Sequence, residues 1–77
     1  MQLSEMAVGE TARIRGFTDG SRAYRAKLLA MGLTPGTPFT VTRMAPMGDP
    51  VEVRVRGFAL SLRRKEGNAL LIDSEQR

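Results

Sequence analysis

The segment Met-Gly-Leu-Thr-Pro-Gly at residues 31–36 constrains the fold of this chain more than any other segment. Gly32 can adopt the left-handed conformation that closes a helix, and Leu33 can fold back onto the last helical turn. Pro35 then prevents the helix from continuing, and Pro35 with Gly36 fits the central positions of a type II turn. The sequence therefore predicts that a helix ends here and that a strand follows within a few residues.

Alternation of apolar and polar residues predicts five short strands around this helix. The clearest alternation places Val51, Val53 and Val55 on one face, with charged residues between them. The predicted strands cover residues 11–17, 38–44, 51–56, 58–63 and 69–73, and the helix covers residues 22–31. Residues 45–50 form a tight reversal, residues 64–68 form a connector with one turn of 3₁₀ helix, and residues 75–77 are frayed. Residues 18–21 form a turn in which Asp19 or Ser21 caps the helix.

Five short strands with one helix after the first strand favour an all-β fold, a small SH3-like barrel. A flat sheet of this size would expose a whole apolar face, whereas a closed sheet buries that face and protects its edges. The alternative is an OB-fold, which usually places its helix between the third and fourth strands. We expect residues 1–77 to form one domain, with Phe17, Phe39 and Phe58 in its core.

The composition argues against an enzyme. The chain has no cysteine and no histidine, so it has no thiol nucleophile, no disulfide, and no thiolate or imidazole ligand for a transition metal. Its acidic residues are spread singly along the sequence, and no glycine-rich loop has the spacing that binds phosphate. We therefore predict no catalytic residues, no cofactor and no dedicated metal site.

The net charge and the aromatic content of the chain indicate what class of partner it binds. Twelve Lys and Arg against eight Asp and Glu give a net charge of +4, which is compatible with nucleic acid, an acidic protein or an anionic membrane. Barrels that bind RNA add aromatic side chains on which bases stack, and this chain has one Tyr, three Phe and no Trp. We therefore expect a protein partner rather than nucleic acid. Without a signal peptide or an apolar run of roughly 20 residues, the chain is expected to be cytosolic.

Three segments together resemble the FeoA family, the small cytosolic partners of the bacterial ferrous iron transporter. They are Lys-Leu-Leu-Ala-Met-Gly-Leu-Thr-Pro-Gly at residues 27–36, Ala-Pro-Met-Gly-Asp-Pro at 45–50 and Arg-Gly-Phe-Ala-Leu-Ser-Leu-Arg at 56–63. The resemblance runs from about residue 11 to residue 72. It implies an SH3-like accessory of FeoB, a membrane permease with a cytosolic GTP-binding domain, so that any membrane association arises only through the transporter.

Two further comparisons with that family are informative. The same pattern occurs in the C-terminal domain of iron-dependent repressors, but those carry a winged-helix domain for which this chain shows no counterpart. The chain also departs from the family where Gly67 and Asn68 separate Glu66 from Ala69, which predicts a slightly longer last corner.

The helix and the turn after it are the first candidate surface for FeoB. Its candidate contacts are Leu29, Met31 and Leu33, beside the basic residues Arg22, Arg25 and Lys27. In the alternative interpretation, Leu28, Met31 and Leu33 simply close the end of the barrel. Since Leu29 follows Leu28 directly on the helix, it cannot share the burial of Leu28 and is the better candidate for an exposed contact.

Basic residues on the later strands are the second candidate surface. Arg54 and Arg56 lie on one face of their strand, and Arg63 could join them across the sheet. The alternative is an ordinary solvated face, partly neutralised by Glu52 and Glu66. A weak homodimer also stays open, in which residues 51–56 serve as an edge strand and pair with a second copy.

Overall fold

A computed structural model describes residues 2–19 and 22–74. After a 3₁₀ turn at Leu3–Glu5, the elements are β1 (Thr11–Phe17), α1 (Arg22–Ala30), β2 (Pro38–Met44), β3 (Val51–Val55), β4 (Phe58–Leu62), α2 (Arg64–Asn68) and β5 (Leu70–Ser74). The strands form one five-stranded sheet in the order β4-β3-β2-β1-β5, and all neighbours are antiparallel. This order and the early helix are those of an SH3-like barrel, as predicted. The capping role suggested for Ser21 and the fraying of residues 75–77 lie outside the described residues.

The core is built from the inward face of every strand. In β3 the three valines are at most 4 % exposed, while the intervening Arg54 is exposed, so the period of two predicted from the sequence matches the burial. Helix α1 adds Leu28 to this core. The buried apolar residues are Leu3, Met6, Ala12, Ile14, Leu28, Leu33, Phe39, Val41, Val51, Val53, Val55, Leu62, Ala69, Leu70 and Ile72.

The end of helix α1 confirms the predicted glycine cap. Gly32 has a φ of +93°, and its N–H donates to the Leu29 carbonyl at 3.0 Å. The N–H of Leu33 donates to the Leu28 carbonyl, also at 3.0 Å. This pair of bonds is the Schellman motif, in which the residue after the glycine folds back onto the helix. Leu28 and Leu33 are both 0 % exposed, so the helix exit is fixed by hydrogen bonds and by the core together.

The turn after the cap is also the one predicted. The N–H of Thr37 donates to the Thr34 carbonyl at 3.1 Å, and Gly36 has a φ of +90°. Arg13 reaches the turn from β1 and donates to the Gly36 carbonyl at 2.6 Å. The turn is thereby tied to the sheet, and it leads directly into β2.

The structure corrects several sequence predictions about the elements and the core. The connector at residues 64–68 is a short α-helix, α2, and β5 begins at Leu70 because Ala69 caps that helix. The idea that residues 51–56 form an edge strand is wrong, since β3 lies between β2 and β4. The prediction that Phe58 lies in the core is also wrong, because its side chain is 71 % exposed. Phe58 starts an edge strand, and no further strand of residues 2–19 and 22–74 covers it.

The N-terminal 3₁₀ turn packs against α2, at the corner between β4 and β5. Gly67 is buried, and a Cβ atom placed on it would lie only 2.7 Å from Cδ2 of Leu3. Leu3 itself is 2 % exposed. The absence of a side chain at Gly67 therefore makes room for Leu3, an apolar side chain that the sequence prediction did not include in the core.

Candidate docking surface

Helix α1 presents two different faces. Tyr24, Leu28 and Met31 lie on the face toward the sheet, where Leu28 is buried and the other two pack against the core. Residues spaced by three and four positions share a face of a helix, so Arg22, Arg25, Ala26 and Leu29 lie together on the opposite face. We call these four residues the Leu29 stripe, and all four are exposed.

Leu29 is the apolar centre of this stripe. It is 39 % exposed, and among the described residues the only other large apolar side chains with comparable or greater exposure are Val8, Met47 and Phe58. The neighbouring Ala26 is small, so it leaves one flank of Leu29 open. An apolar side chain between arginines has the composition of an interface core with its polar rim.

The two arginines of the stripe are positioned in a way that helix stability does not explain. Arg22 begins α1 and Arg25 lies in its first turn, and this turn contains no acidic residue. Because the N-terminus of a helix carries partial positive charge, basic side chains there are unfavourable. Arg25 lies over the ring of Phe17 at 5.5 Å from its centroid, so a cation–π contact holds it in place on the surface.

Met31 and Leu33 are less accessible than the sequence hypothesis required. Leu33 is 0 % exposed and cannot contact a partner in this fold, so its place in the hypothesis is corrected: it closes the barrel. Met31 is half-buried and packs against the core. Of the three apolar candidates, Leu29 alone is classed as exposed.

The structure does not bring Arg54, Arg56 and Arg63 together. Val55 pairs with Phe58 at one end of the β3–β4 hairpin, and Val51 pairs with Leu62 at the other end. Arg56 and Arg63 lie beyond opposite ends, and the four residue-to-residue steps along β4 separate those ends by about 13 Å. The guanidinium of Arg56 donates instead to the Thr37 hydroxyl at 3.2 Å. Arg63 therefore lies apart from Arg56, and the predicted patch of three arginines does not form.

Glu66 is a structurally important residue that the sequence analysis assigned to a solvated face. Its side chain is 7 % exposed and pairs with Lys27 of α1, while the N–H of Arg63 donates to Glu66 Oε1 at 2.9 Å. The hydrogen bond from Lys27 lowers the pKa of Glu66, and the bond from the Arg63 N–H acts in the same direction against the opposing effect of burial. Glu66 lies three residues after Arg63, at the position from which a Glu side chain reaches back to the N-cap N–H, but Arg63 is not one of the N-cap residues that would mark a helix start in the sequence.

This ion pair predicts a pH-dependent contribution to stability. A carboxyl group with a lowered pKa in the folded state stabilises the fold above its unfolded pKa, and that contribution is lost as the pH falls through the folded pKa. We therefore expect Glu66→Gln to lower the melting temperature at about pH 7 and to have little effect at about pH 2, where Glu66 is protonated in both states. Thermal unfolding followed by circular dichroism measures this. An equal difference between the two proteins at both pH values would contradict the assignment.

Two kinds of feature are absent from the part of the chain that the structure describes. Nowhere in residues 2–19 and 22–74 do three or more His, Cys, Asp or Glu side chains gather in a group that could hold a metal ion. Neither helix in the same ranges has the length and apolar character that a membrane span requires.

Comparison with known proteins gives the family. The profile of the FeoA domain matches residues 1–74. A fusion protein of Porphyromonas gingivalis, named as Fe(2+) transport protein A joined to the Fe(2+) transporter FeoB, is 34 % identical over 73 residues. That alignment covers 95 % of this chain and 8 % of the relative, so the chain spans only a small part of this curated protein.

Solved structures give the same answer for the fold. A FeoA-like protein from Clostridium acetobutylicum is 32 % identical, with a TM-score of 0.89 over 100 % of this chain and 88 % of that protein. FeoA of Stenotrophomonas maltophilia, complexed with zinc and described as an SH3 domain protein, is 25 % identical, with a TM-score of 0.81 over 95 % of this chain and 89 % of that one. The SH3-like fold is thus confirmed, and the chain belongs to the FeoA family, which is associated with ferrous iron transport.

Proposed function

We propose that this protein is a non-enzymatic accessory of bacterial ferrous iron uptake. It acts by contact between the Leu29 stripe and the cytosolic GTP-binding domain of a FeoB-type permease. The observation that carries this proposal is the Porphyromonas gingivalis relative, whose name joins a transport protein A and the transporter FeoB in one polypeptide. Joining two modules in one chain raises their effective concentration for each other, which favours two parts that work in contact.

The surface of the Leu29 stripe fits a protein partner. Its apolar centre is Leu29, its flanking arginines carry positive charge, and α1 contains no acidic side chain. A complementary surface would provide an apolar pocket with carboxylates at its rim, because such pairs both attract and orient the two proteins. The chemistry that the chain lacks supports the same role, since a protein without Cys and His has few groups for nucleophilic or acid–base catalysis.

Substituting the centre of the stripe tests the proposal. We expect Leu29→Glu to raise the dissociation constant for the FeoB GTP-binding domain at least about tenfold, because a central apolar contact would be replaced by a charge. The melting temperature should change little, since Leu29 is 39 % exposed and lies outside the buried core. Isothermal titration calorimetry with the purified domain measures the binding.

Met47→Glu is the matched control for this experiment. Met47 is 84 % exposed in the loop between β2 and β3, and this variant changes the net charge by the same amount. We expect its affinity to stay within about twofold of the parent chain, since it lies outside the proposed interface. Equal losses for the two variants would show that net charge governs binding, and an unchanged affinity for Leu29→Glu would contradict the proposed surface.

A further inference from the structure

Strand β4 forms one edge of the sheet and lacks three of the features that normally protect an edge, namely a charge, a proline and a bulge. Among the described residues its only strand partner is β3, and the five residue pairs between them run without a bulge. The sequence of β4, Phe-Ala-Leu-Ser-Leu, contains no charge and no proline. Because edge strands present unpaired backbone groups, proteins usually blunt them with charges, prolines or bulges. An unprotected edge of this kind is suited to pairing with another strand.

The turn before β4 determines which backbone groups point outward. Arg56 and Gly57 have φ values of +52° and +84°, as in the two-residue turns of tight hairpins. In such a hairpin the flanking residues, Val55 and Phe58, exchange hydrogen bonds. Hydrogen-bonded and non-bonded positions then alternate along the strand, so Leu60 and Leu62 also bond to β3. The N–H and C=O groups of Ala59 and Ser61 therefore point away from the sheet.

We propose that β4 pairs with β4 of a second copy of this chain, antiparallel and about a two-fold axis at Leu60. In this register Ala59 of one copy exchanges two backbone hydrogen bonds with Ser61 of the other copy. The symmetry repeats the exchange, which gives four hydrogen bonds and one continuous sheet through both molecules. Phe58, which is 71 % exposed, then lies opposite the position of Leu62 in the second copy, so the second strand runs beside the exposed ring.

Charge complementarity favours a second copy in this register over an unrelated strand. On the outer face of the sheet, Arg54 is paired with Ala59 and Glu52 is paired with Ser61. Across the proposed dimer, one row of side chains on this face therefore consists of Arg54 and Ala59 of one copy, followed by Ser61 and Glu52 of the other copy. The same row occurs a second time by symmetry, in the opposite direction. Each row thus has opposite charges at its two ends, although the whole chain carries +4.

The dimer is expected to be weak. Two five-residue strands bury less than the area of about 1,200 Å² that specific stable interfaces exceed. Association should therefore appear only at high protein concentration. The contact also lies on β4 and not on the Leu29 stripe, so this inference stands independently of the proposed function.

Sedimentation equilibrium of the whole chain up to about 1 mM, a concentration at which even weak association is visible, tests the proposal. We expect a monomer–dimer equilibrium, with concentration-dependent amide NMR shifts centred on Ala59 and Ser61. Ser61→Lys, which brings a second positive charge toward Arg54 of the other copy, should weaken association at least about tenfold. Ser74→Lys, with the same change on the exposed end of β5, should leave it unchanged.

A third variant tests the backbone pairing without changing the charge of the chain. Ala59→Pro removes one outward donor, which edge strands tolerate, and adds no charge; a thermal melt checks that the variant is folded. We expect it also to weaken association. A chain that stays monomeric up to about 1 mM, equal association of Ser61→Lys and Ser74→Lys, or shifts centred on another element would each overturn the proposal.

Discussion

Replacing Leu33 with alanine is expected to lower the free energy of unfolding by about 2–5 kcal/mol, the range found when a buried leucine is truncated. Leu33 is 0 % exposed, and its N–H closes the cap of α1 by bonding to the Leu28 carbonyl. The variant would keep that hydrogen bond but leave a cavity where the helix, the turn and the sheet meet. For a domain of this size the loss is a large share of the total stability. Urea unfolding followed by circular dichroism measures it.

Leu29→Ala is the control for this measurement. The two leucines lie four positions apart, but Leu29 is 39 % exposed and should lose less than about 1 kcal/mol. Leu33→Met, which roughly conserves volume, should stay folded and cost less than about 1.5 kcal/mol. Similar losses for Leu33→Ala and Leu29→Ala would contradict the assignment of Leu33 to the core and Leu29 to the surface.

Replacing Gly32 with valine is expected to destabilise the chain by about 1–3 kcal/mol through backbone strain. Gly32 has a φ of +93°, and a Cβ atom built on it meets no atom within 4 Å. The cost therefore comes from the left-handed backbone itself, which β-branched residues rarely adopt. The melting temperature in a thermal scan reports this loss.

Two other substitutions separate strain from a general effect of losing a glycine. Gly32→Asn should cost less than Gly32→Val, because asparagine enters the left-handed region more readily. Gly16→Ala should also cost little, because Gly16 has no positive φ and its added Cβ would lie 3.9 Å from Leu71 Cδ1. A melting temperature of Gly32→Val equal to that of the parent chain would refute the glycine cap.

The sequence could predict the elements whose signals are local. The bounds of β1 and β2 match the prediction, and the helix end differs by one residue. Alternation fixes which strand residues face inward, and Gly32 with Pro35 fixes where the helix stops. Each of these signals lies within a short stretch of sequence, and together they were enough to predict the order of the strands and the helix.

What the sequence could not predict depends on contacts between distant segments. Lys27 and Glu66 are 39 positions apart, and Leu3 packs against Gly67; neither pairing leaves a periodic pattern. The separation of Arg56 from Arg63 follows from the hairpin register. Phe58 shows that hydrophobicity alone does not decide burial, because its position at an edge strand leaves it uncovered.

The candidate site was predictable only in part. The exposure of Leu29 follows from its position beside Leu28, which the helical period turns inward. Knowing where the helix begins and ends is enough to predict that Leu29 shares a face with Arg22 and Arg25. Its role as a docking surface stays a prediction, because no local pattern identifies what a surface binds.

Titration of the nitrogen-labelled chain with the cytosolic GTP-binding domain of its FeoB, followed by amide NMR shifts, tests the central claim most directly. The account predicts that the shifts concentrate on α1, above all at Arg22, Arg25 and Leu29, and that they disappear in Leu29→Glu but persist in Met47→Glu. Shifts that concentrate on Arg54 or Arg63 instead, or an unchanged spectrum at a saturating concentration of the domain, would contradict it.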